Sequence, residues 1–251
     1  MTRSRSSIVY ILLVAVVCFA AGMASVLLRD DIFQSRPSPE SPTLQNVDLQ
    51  TPEATPTARQ ISIVLLGVDD LSKEKPVLRA LWFASFSPPE RQIDLLGIPV
   101  DTPLDGGRET IQESFSLFEP PDFGANFLAA ITPYAPYPIQ GFVVLDEEGF
   151  AELIDYVGGV MLDNQELSGR AAVGALSLLK DQPIASLRMQ ARLISSLTEN
   201  AASIGTTPEL TSLTALVPDH AYTSPSPYQL ASLGSQLLPI DPQFVNVDIL
   251  P

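Results

Sequence analysis

YPIQGFVVLDEEGFAELIDYVGGV, residues 137–160, contains the pattern of a β-strand followed at once by the pattern of a helix. Residues 141–145 are an apolar run of strand length, and Asp146 after them is a residue type that favours a helix N-terminus. Apolar side chains then recur at helical spacing and form one face: Phe150, Leu153, Ile154 and Val157. Gly158 follows as the expected stop of the helix. The stretch therefore predicts one strand–helix unit.

Upstream of this unit the sequence predicts three more strands. Residues 61–68 are apolar on both faces, as expected for a central buried strand. Residues 81–86 and 92–98 are further strands, and the prolines between them predict a hairpin. Residues 101–123 are rich in glycine and proline and predict a long irregular loop, followed by a short helix at 126–131.

Downstream, the pattern predicts a long helix at 183–202, two more helices that begin near Pro208 and Pro227, and a closing strand at 244–249. Strands that alternate with helices indicate an α/β fold. Trp82 falls within a predicted strand and is expected in the core, so no cluster of exposed aromatic side chains supports a polysaccharide-binding module.

The amino-terminal part of the chain predicts a membrane anchor and a spacer. Residues 8–28 contain no charged side chain, and about 20 such residues span a bilayer as a helix. Arg3 and Arg5 precede this run, so we expect residues 1–7 in the cytoplasm and a single-pass protein of the cell membrane. A cleaved signal peptide is the alternative. Residues 29–59, with several prolines, predict a disordered stalk before an extracytoplasmic domain at 60–251.

Charge and composition exclude several classes of function. The formal net charge is −15, from 14 basic and 29 acidic residues. Five of each kind precede residue 60, which leaves nine basic and 24 acidic residues in the predicted domain, so nucleic-acid binding is not expected. The single cysteine, Cys18, lies in the apolar run, and the single histidine, His220, is expected in a solvated loop. Neither a disulfide framework nor a Cys/His metal site is therefore predicted.

Four segments in order resemble the LytR-CpsA-Psr (LCP) family. They are LLGVDD (65–70), LLGIPVDT (95–102), the stretch 137–160, and SLRMQARLISSL (186–197). The third resembles the family's "IPID-YV-VDFEGF-LVDALGGV" stretch without a gap. The resemblance covers about 60–251 and implies an LCP-like α/β/α sandwich with a mixed central sheet and an apolar tunnel for a prenyl chain.

The resemblance also implies a chemistry. LCP proteins are extracytoplasmic phosphotransferases that move a glycopolymer from a polyprenyl-pyrophosphate carrier to peptidoglycan. Arginines bind the pyrophosphate, and aspartates hold Mg²⁺ at the mouth of the tunnel. Such a leaving group needs cations around it, and Mg²⁺ prefers carboxylate oxygens.

Several family positions carry over residue by residue. The resemblance implies catalytic roles for Asp69 and Asp101, with Asp69 also a metal ligand whose partner aspartate is replaced by Arg79. Arg188 and Gln190 remain from a family helix motif and imply phosphate contacts, to which Arg79 and Arg108 are further candidates. The structural alternatives stay open: Asp69 caps a turn, Asp101 forms an Asx-turn before Pro103, and Arg188 is a solvated helix residue.

Other family positions have lost their charge. Val77, Val100 and Ser177 stand where the family has arginine, and the lysine of a further motif is missing. The sequence therefore favours a degenerate member with weak or no catalysis that still binds polyprenyl-phosphate lipid or a cell-wall polymer, with no cofactor or with Mg²⁺. The alternative is an active phosphotransferase that uses Asp69, Asp101, Arg79, Arg108 and Arg188.

Two structural expectations follow. The face of Phe150, Leu153, Ile154 and Val157 should pack on the sheet beside an apolar cavity of roughly a few hundred Å³. Arg79 should lie within hydrogen-bonding distance of Asp69, about 2.7–3.2 Å, and supply the cation that Mg²⁺ supplies in the family.

Overall fold

The computed structural model describes residues 61–87, 92–104, 107–117, 123–202, 219–224 and 242–251. The predicted anchor at 8–28, the stalk at 29–59 and the helices expected near Pro208 and Pro227 lie outside these ranges. Within these ranges, no helix is long and apolar enough to cross a membrane.

The described ranges contain eight strands and five α-helices. The strands are β1 (Ile61–Val68), β2 (Leu78–Ser87), β3 (Gln92–Gly97), β4 (Ile139–Leu145), β5 (Val160–Leu162), β6 (Gln165–Leu167), β7 (Ala221–Ser224) and β8 (Val245–Ile249). The helices are α1 (Ile111–Ser114), α2 (Ala125–Ile131), α3 (Glu147–Tyr156), α4 (Gly169–Ser177) and α5 (Pro183–Ala202). Short 3₁₀ turns occupy Thr132–Tyr134 and Pro242–Phe244.

Six strands form one mixed sheet in the order β7-β4-β1-β2-β3-β8. The pairs β1–β4 and β3–β8 are parallel, whereas β1–β2, β2–β3 and β4–β7 are antiparallel. The strands β5 and β6 form a separate hairpin. The prediction of an α/β fold with a mixed central sheet is therefore confirmed.

One face of the sheet is closely packed. Alternate residues of β1 and β2 point to this face and are at most 2% exposed: Val64, Leu66, Val68, Leu81 and Phe83. They pack in one cluster with α1, α2 and the segment that follows β3. Neighbouring phenylalanines complete the cluster, with the ring centroids of Phe115 and Phe127 5.0 Å apart in an edge-to-face arrangement.

The opposite face is covered by α3, α4 and α5. Leu187 of α5 packs on Trp82, Ala84 and the strands β3 and β8. A further cluster joins the three helices to each other through Ile154, Val160, Ala172 and Leu193. The result is three layers, with helices on both sides of the sheet.

The strand–helix unit at 139–156 forms as its sequence predicts. The Asp146 side chain accepts a hydrogen bond from the Gly149 N–H at 2.8 Å and so caps α3. The helix ends two residues before Gly158, whose φ of +84° is the left-handed conformation expected at a helix stop. A Cβ at Gly149 would lie 2.7 Å from the His220 carbonyl oxygen, so this position requires glycine.

Most predicted elements are confirmed within a few residues, and α5 matches its predicted bounds of 183–202. The predicted loop at 101–123 contains the short helix α1, which begins with a capping box between Thr110 and Glu113. The helix α4, the hairpin β5–β6 and the strand β7 were not predicted.

Candidate functional site

A cavity of about 230 Å³ lies between the sheet and the helices α3, α4 and α5. Its walls are mostly apolar, and they include the predicted α3 side chains Phe150, Leu153 and Val157. The floor at one end is made of small residues, because Gly67 of β1 pairs with Ala80 of β2. The prediction of an apolar cavity on this side of the sheet is confirmed.

The cavity extends along most of α5. The helix contributes side chains at three- and four-residue spacing, which form a single line: Pro183, Ser186, Gln190, Ile194, Leu197 and Thr198. Fifteen residues of helix rise by about 22 Å. A volume of about 230 Å³ spread over most of that length is long and narrow.

Charged side chains cluster at one end, which we call the mouth. Arg79 at the start of β2 and Glu147 at the start of α3 line the cavity there, together with Lys180 from the turn between α4 and α5. The opposite end is formed by Leu197, Thr198 and Val245 and has no charged lining residue among the described ranges. The cavity is therefore amphipathic along its axis.

Arg79 and Glu147 both line the mouth and lie close enough for their charges to interact. Within the described part of the chain, neither side chain makes a hydrogen bond or an ion pair. Burial raises the pKa of Glu147, the charge of Arg79 opposes this rise, and the charge of Asp69 adds to it. Both groups are thus available to a ligand that enters the mouth.

Gln190 lies in the cavity wall with Arg79 and Glu147 and connects α5 to β2 by hydrogen bonds. Its Oε1 accepts a hydrogen bond from the Trp82 indole N–H at 2.9 Å, and its Nε2 donates to the Arg79 carbonyl oxygen at 3.2 Å. The Nε2 atom also lies 3.2 Å from the Ser186 hydroxyl. The Gln190 side chain is 7% exposed. The residue therefore joins α5 to β2 from inside the cavity wall.

The expected pair of Asp69 and Arg79 is wrong. The Asp69 Oδ2 atom binds the Lys73 ammonium at 2.8 Å, and Oδ1 accepts hydrogen bonds from the N–H groups of Val77 at 2.7 Å and Asp70 at 2.9 Å. Lys73 lies four residues after Asp69 in the same loop, so it can reach the carboxylate without a contact across the sheet. Burial alone would raise the pKa of Asp69, but these contacts outweigh it and hold the pKa below its ordinary value.

The residues at this position do not fit a bound Mg²⁺ ion. Both oxygens of Asp69 are already bonded to cationic or N–H donors, and an arginine stands where the second aspartate is expected. Over the described ranges, no group of three or more His, Cys, Asp or Glu side chains is placed to hold a metal. Asp69 closes the loop between β1 and β2, which is the structural alternative that the sequence left open.

Three further predicted site residues lie apart from the cavity lining. Asp101, Arg108 and Arg188 are exposed, and none of them lines the cavity. In the turn that contains Asp101, the Thr102 hydroxyl supplies the side-chain hydrogen bond, to the Pro99 carbonyl oxygen at 2.7 Å. Of the residues predicted to contact phosphate, the structure brings Arg79 and Gln190 to the cavity. The chemical roles of all six residues stay predictions.

His220 is not the simple solvated loop residue that the sequence suggested. Its Nδ1 lies 3.1 Å from Oδ2 of the buried Asp146, and its carbonyl oxygen accepts the Asp146 N–H at 3.2 Å. The hydrogen bond to Asp146 raises the pKa of His220. This contact ties the start of β7 to the N-cap of α3, beside the mouth.

Sequence reasoning missed Glu147 and Lys180 as residues of the mouth. A signal for Glu147 was present, because the family stretch "VDFEGF" has phenylalanine where this chain has Glu147. Lys180 carried no such signal, because its placement depends on the unpredicted helix α4.

Known proteins with related sequences are named as teichoic acid transferases. The chain is 27% identical over 140 residues to the polyisoprenyl-teichoic acid–peptidoglycan teichoic acid transferase TagU of Bacillus mycoides, a match that covers 52% of this chain and 44% of that protein. The TagU protein of Bacillus cereus strain AH820 is 26% identical over 148 residues, which cover 55% of this chain and 47% of that protein. The matched segment therefore spans about half the length of these relatives. No family model matches the chain.

Solved structures share the fold at low sequence identity. TagV of Bacillus subtilis superposes with a TM-score of 0.60 at 16% identity, over 77% of this chain and 85% of TagV. The LytR-Csp2A-Psr enzyme of Actinomyces oris superposes with a TM-score of 0.57 at 16% identity, over 78% of this chain and 82% of the enzyme. TagT bound to LIIa-WTA gives a TM-score of 0.55 at 14% identity, over 80% and 82%. The described residues therefore share the fold of these solved structures, as the sequence resemblance predicts.

Proposed function

We propose that this LCP-type domain holds the isoprenoid chain of a polyisoprenyl-phosphate lipid in its cavity and serves glycopolymer transfer in the cell envelope, with little or no phosphotransfer of its own. The observation that carries the proposal is the long apolar cavity with a charged mouth. The TagU relatives are named for a polyisoprenyl-linked substrate, which has the same division into an apolar chain and an anionic head.

The shape of the cavity supports a chain-like ligand. A compact ligand would need a rounded pocket, whereas the lining here follows a single line of α5 side chains over about 22 Å. The walls offer few hydrogen-bonding groups away from the mouth, so burial of apolar surface is the main source of affinity there. A linear hydrocarbon satisfies both conditions.

The charges at the mouth support the proposal that this domain has little or no catalytic activity. A pyrophosphate leaving group needs several cations, or a metal, to stabilise the charge that develops. Here the lining supplies Arg79 and Lys180 beside the acidic Glu147, while Arg108 and Arg188 lie elsewhere on the surface. Asp69 is engaged with Lys73. We therefore propose that lipid binding works without Mg²⁺.

The proposal includes a location. An uncleaved anchor at 8–28, with Arg3 and Arg5 on its cytoplasmic side, would hold the domain on the outer side of the membrane, where isoprenoid-linked glycopolymers are used. Protease added to spheroplasts should then release the domain from the membrane. Complete protection of residues 60–251 would refute this orientation.

Lipid binding is tested by native mass spectrometry of the full chain in detergent with polyprenyl monophosphate. One bound lipid per chain is expected. Ala80→Phe places a large ring on the floor of the cavity and should abolish the bound species. Ala171→Phe makes the same change at an exposed position of α4 outside the lining and should leave binding unchanged. Equal binding by both variants, or no binding by the natural chain, would contradict the proposal.

Catalysis is tested separately, with Mg²⁺, a polyprenyl-pyrophosphate glycopolymer and peptidoglycan fragments. Little or no transfer is expected. Rapid turnover that disappears in Asp101→Ala would instead establish the active phosphotransferase, with lipid binding retained.

A further inference from the structure

The charged groups at the mouth reduce to one facing pair. Four charged side chains line the cavity, namely Arg79, Asp146, Glu147 and Lys180. Asp146 is engaged by the Gly149 N–H and by His220, and Lys180 is largely exposed to solvent. Arg79 and Glu147 remain as partly buried charges that a ligand head group must meet.

This pair has opposite effects on an anionic head group. Arg79 supplies one cation with a planar set of donors that matches a phosphate group. Glu147 places a carboxylate beside it, at the first position of α3. The nearby charges of Asp69 and Lys73 are bonded to each other, and the second cation of the lining, Lys180, is exposed to solvent. Among the partly buried groups of the mouth, Arg79 can therefore neutralise one phosphate, but a second phosphate would face Glu147.

We propose that Glu147 makes the mouth selective for a lipid whose head group has a single phosphate over a lipid with a pyrophosphate. This inference rests on the proposed function, since it concerns the head group of the lipid held in the same cavity. It assigns the cavity to the monophosphate form of a polyprenyl carrier.

The size of the effect follows from Coulomb's law. An additional negative charge within several ångströms of a carboxylate at a partly buried site lowers affinity by about tenfold. The apolar chains of the two lipids are the same, so they contribute equally to both affinities. The ratio of the two dissociation constants therefore reports the head group alone.

The experiment uses the full chain in detergent and two lipids of equal chain length, polyprenyl monophosphate and polyprenyl pyrophosphate. We expect the natural chain to bind the monophosphate at least tenfold more tightly. Glu147→Gln keeps the shape of the side chain and removes its charge, so pyrophosphate affinity should rise by about tenfold while monophosphate affinity changes less.

Glu148→Gln is the matched control. Glu148 is the next residue of the same helical turn, and its substitution by glutamine removes the same charge. Its side chain is 55% exposed, lies near Arg170 and does not line the cavity. This variant should keep the selectivity of the natural chain. If Glu148→Gln and Glu147→Gln change the ratio equally, the effect is one of net charge and the inference is wrong.

The other outcomes are distinct. Equal affinity of the natural chain for both lipids would overturn the selectivity and leave the proposed lipid-binding function intact. Failure to bind either lipid, with Arg79→Gln equally inactive, would overturn both. Tighter binding of the monophosphate that persists in Glu147→Gln would show that another group sets the preference, and it would also overturn the inference.

Discussion

The two faces of the central sheet are built from the same strands, and helices cover both of them. The face covered by α1 and α2 is closely packed, and we call it the solid face. The face covered by α3, α4 and α5 contains the cavity, and we call it the hollow face. On the solid face Val64 and Leu66 are at most 2% exposed. On the hollow face their neighbours Leu65 and Gly67 are only partly buried, although α3, α4 and α5 cover them. Covering a sheet with helices therefore does not by itself fill the space between them.

Side-chain size explains the difference. The solid face brings together large aliphatic and phenylalanine side chains from strands and helices. On the hollow face the paired residues Gly67 and Ala80 have little or no side chain to fill the space between the sheet and the helices.

The largest expected effect compares two leucines on opposite faces. Leu81→Ala removes a fully buried side chain from the solid face and should lower the free energy of unfolding by about 2–5 kcal/mol. Leu65→Ala widens a space that already exists, so about 1 kcal/mol is expected. Urea denaturation of the lipid-free protein measures both. Equal losses would mean that the hollow face is filled in solution.

A second substitution asks whether the hollow face has a structural frame of its own. Gln190→Met keeps the volume of the side chain but leaves the buried Trp82 N–H without its acceptor, so a loss of about 1–3 kcal/mol is expected. In the Gln190→Met background, Trp82→Phe should cost less than in the natural chain, which a double-mutant cycle can measure. If Gln190 served only to bind phosphate, stability without lipid would not change.

A smaller effect concerns the link between His220 and Asp146 beside the mouth. Because the pKa of His220 is raised in the folded state, its contribution is present in full below the unfolded pKa of about 6.5. It is lost as the pH rises through the raised pKa of the folded state. The side chain is 36% exposed and solvent screens the pair, so at most about 1 kcal/mol is expected. Melting temperatures of the natural chain and of His220→Gln should therefore differ at acidic pH and converge at alkaline pH.

The smallest expected effect is that of Mg²⁺. The oxygens of Asp69 are bonded to Lys73 and to two backbone N–H groups, so neither EDTA nor excess Mg²⁺ should move the melting temperature measurably. In Lys73→Met the carboxylate loses its ammonium partner, and this variant tests whether a site can be restored. A rise in the melting temperature of the natural chain with Mg²⁺ would show that a metal site persists at the rim of the hollow face.

The sequence predicted the fold well where local signals agree with burial. The bounds of α5, the cap at Asp146 and the stop at Gly158 all follow from residue type and spacing. The helix α4 was missed because GRAAVGALS consists mostly of small side chains and contains two glycines, which are poor helix formers. The hairpin β5–β6 is only three residues on each side, although Asp163 and Asn164 at its turn, both with positive φ, are a residue pair that favours such turns.

The site was harder to predict because it depends on which side chains meet in space. Asp69 found its cation within its own loop, in Lys73, rather than across the sheet in Arg79. Arg188 and Gln190 are neighbours in one motif, yet the turn of the helix sends Arg188 to solvent and Gln190 to the cavity wall. Spacing along the chain does not distinguish these cases without the layer that the helix covers.

The pairing of β3 with β8 sets the order in which the domain can fold. The side chains of Asp94 and Asn246 meet at 2.8 Å across 152 positions of the chain, whereas β1, β2 and β3 are joined by short connections. Contacts of such long range form slowly, because the chain loses entropy before they stabilise it. The hairpins can therefore form early, but the sheet closes only after residues 245–249 have been synthesised and have reached β3. Until then the edge of β3 and the end of the cavity opposite the mouth, which Val245 lines, stay open to other chains. We therefore expect a folding chaperone to act longest on this edge.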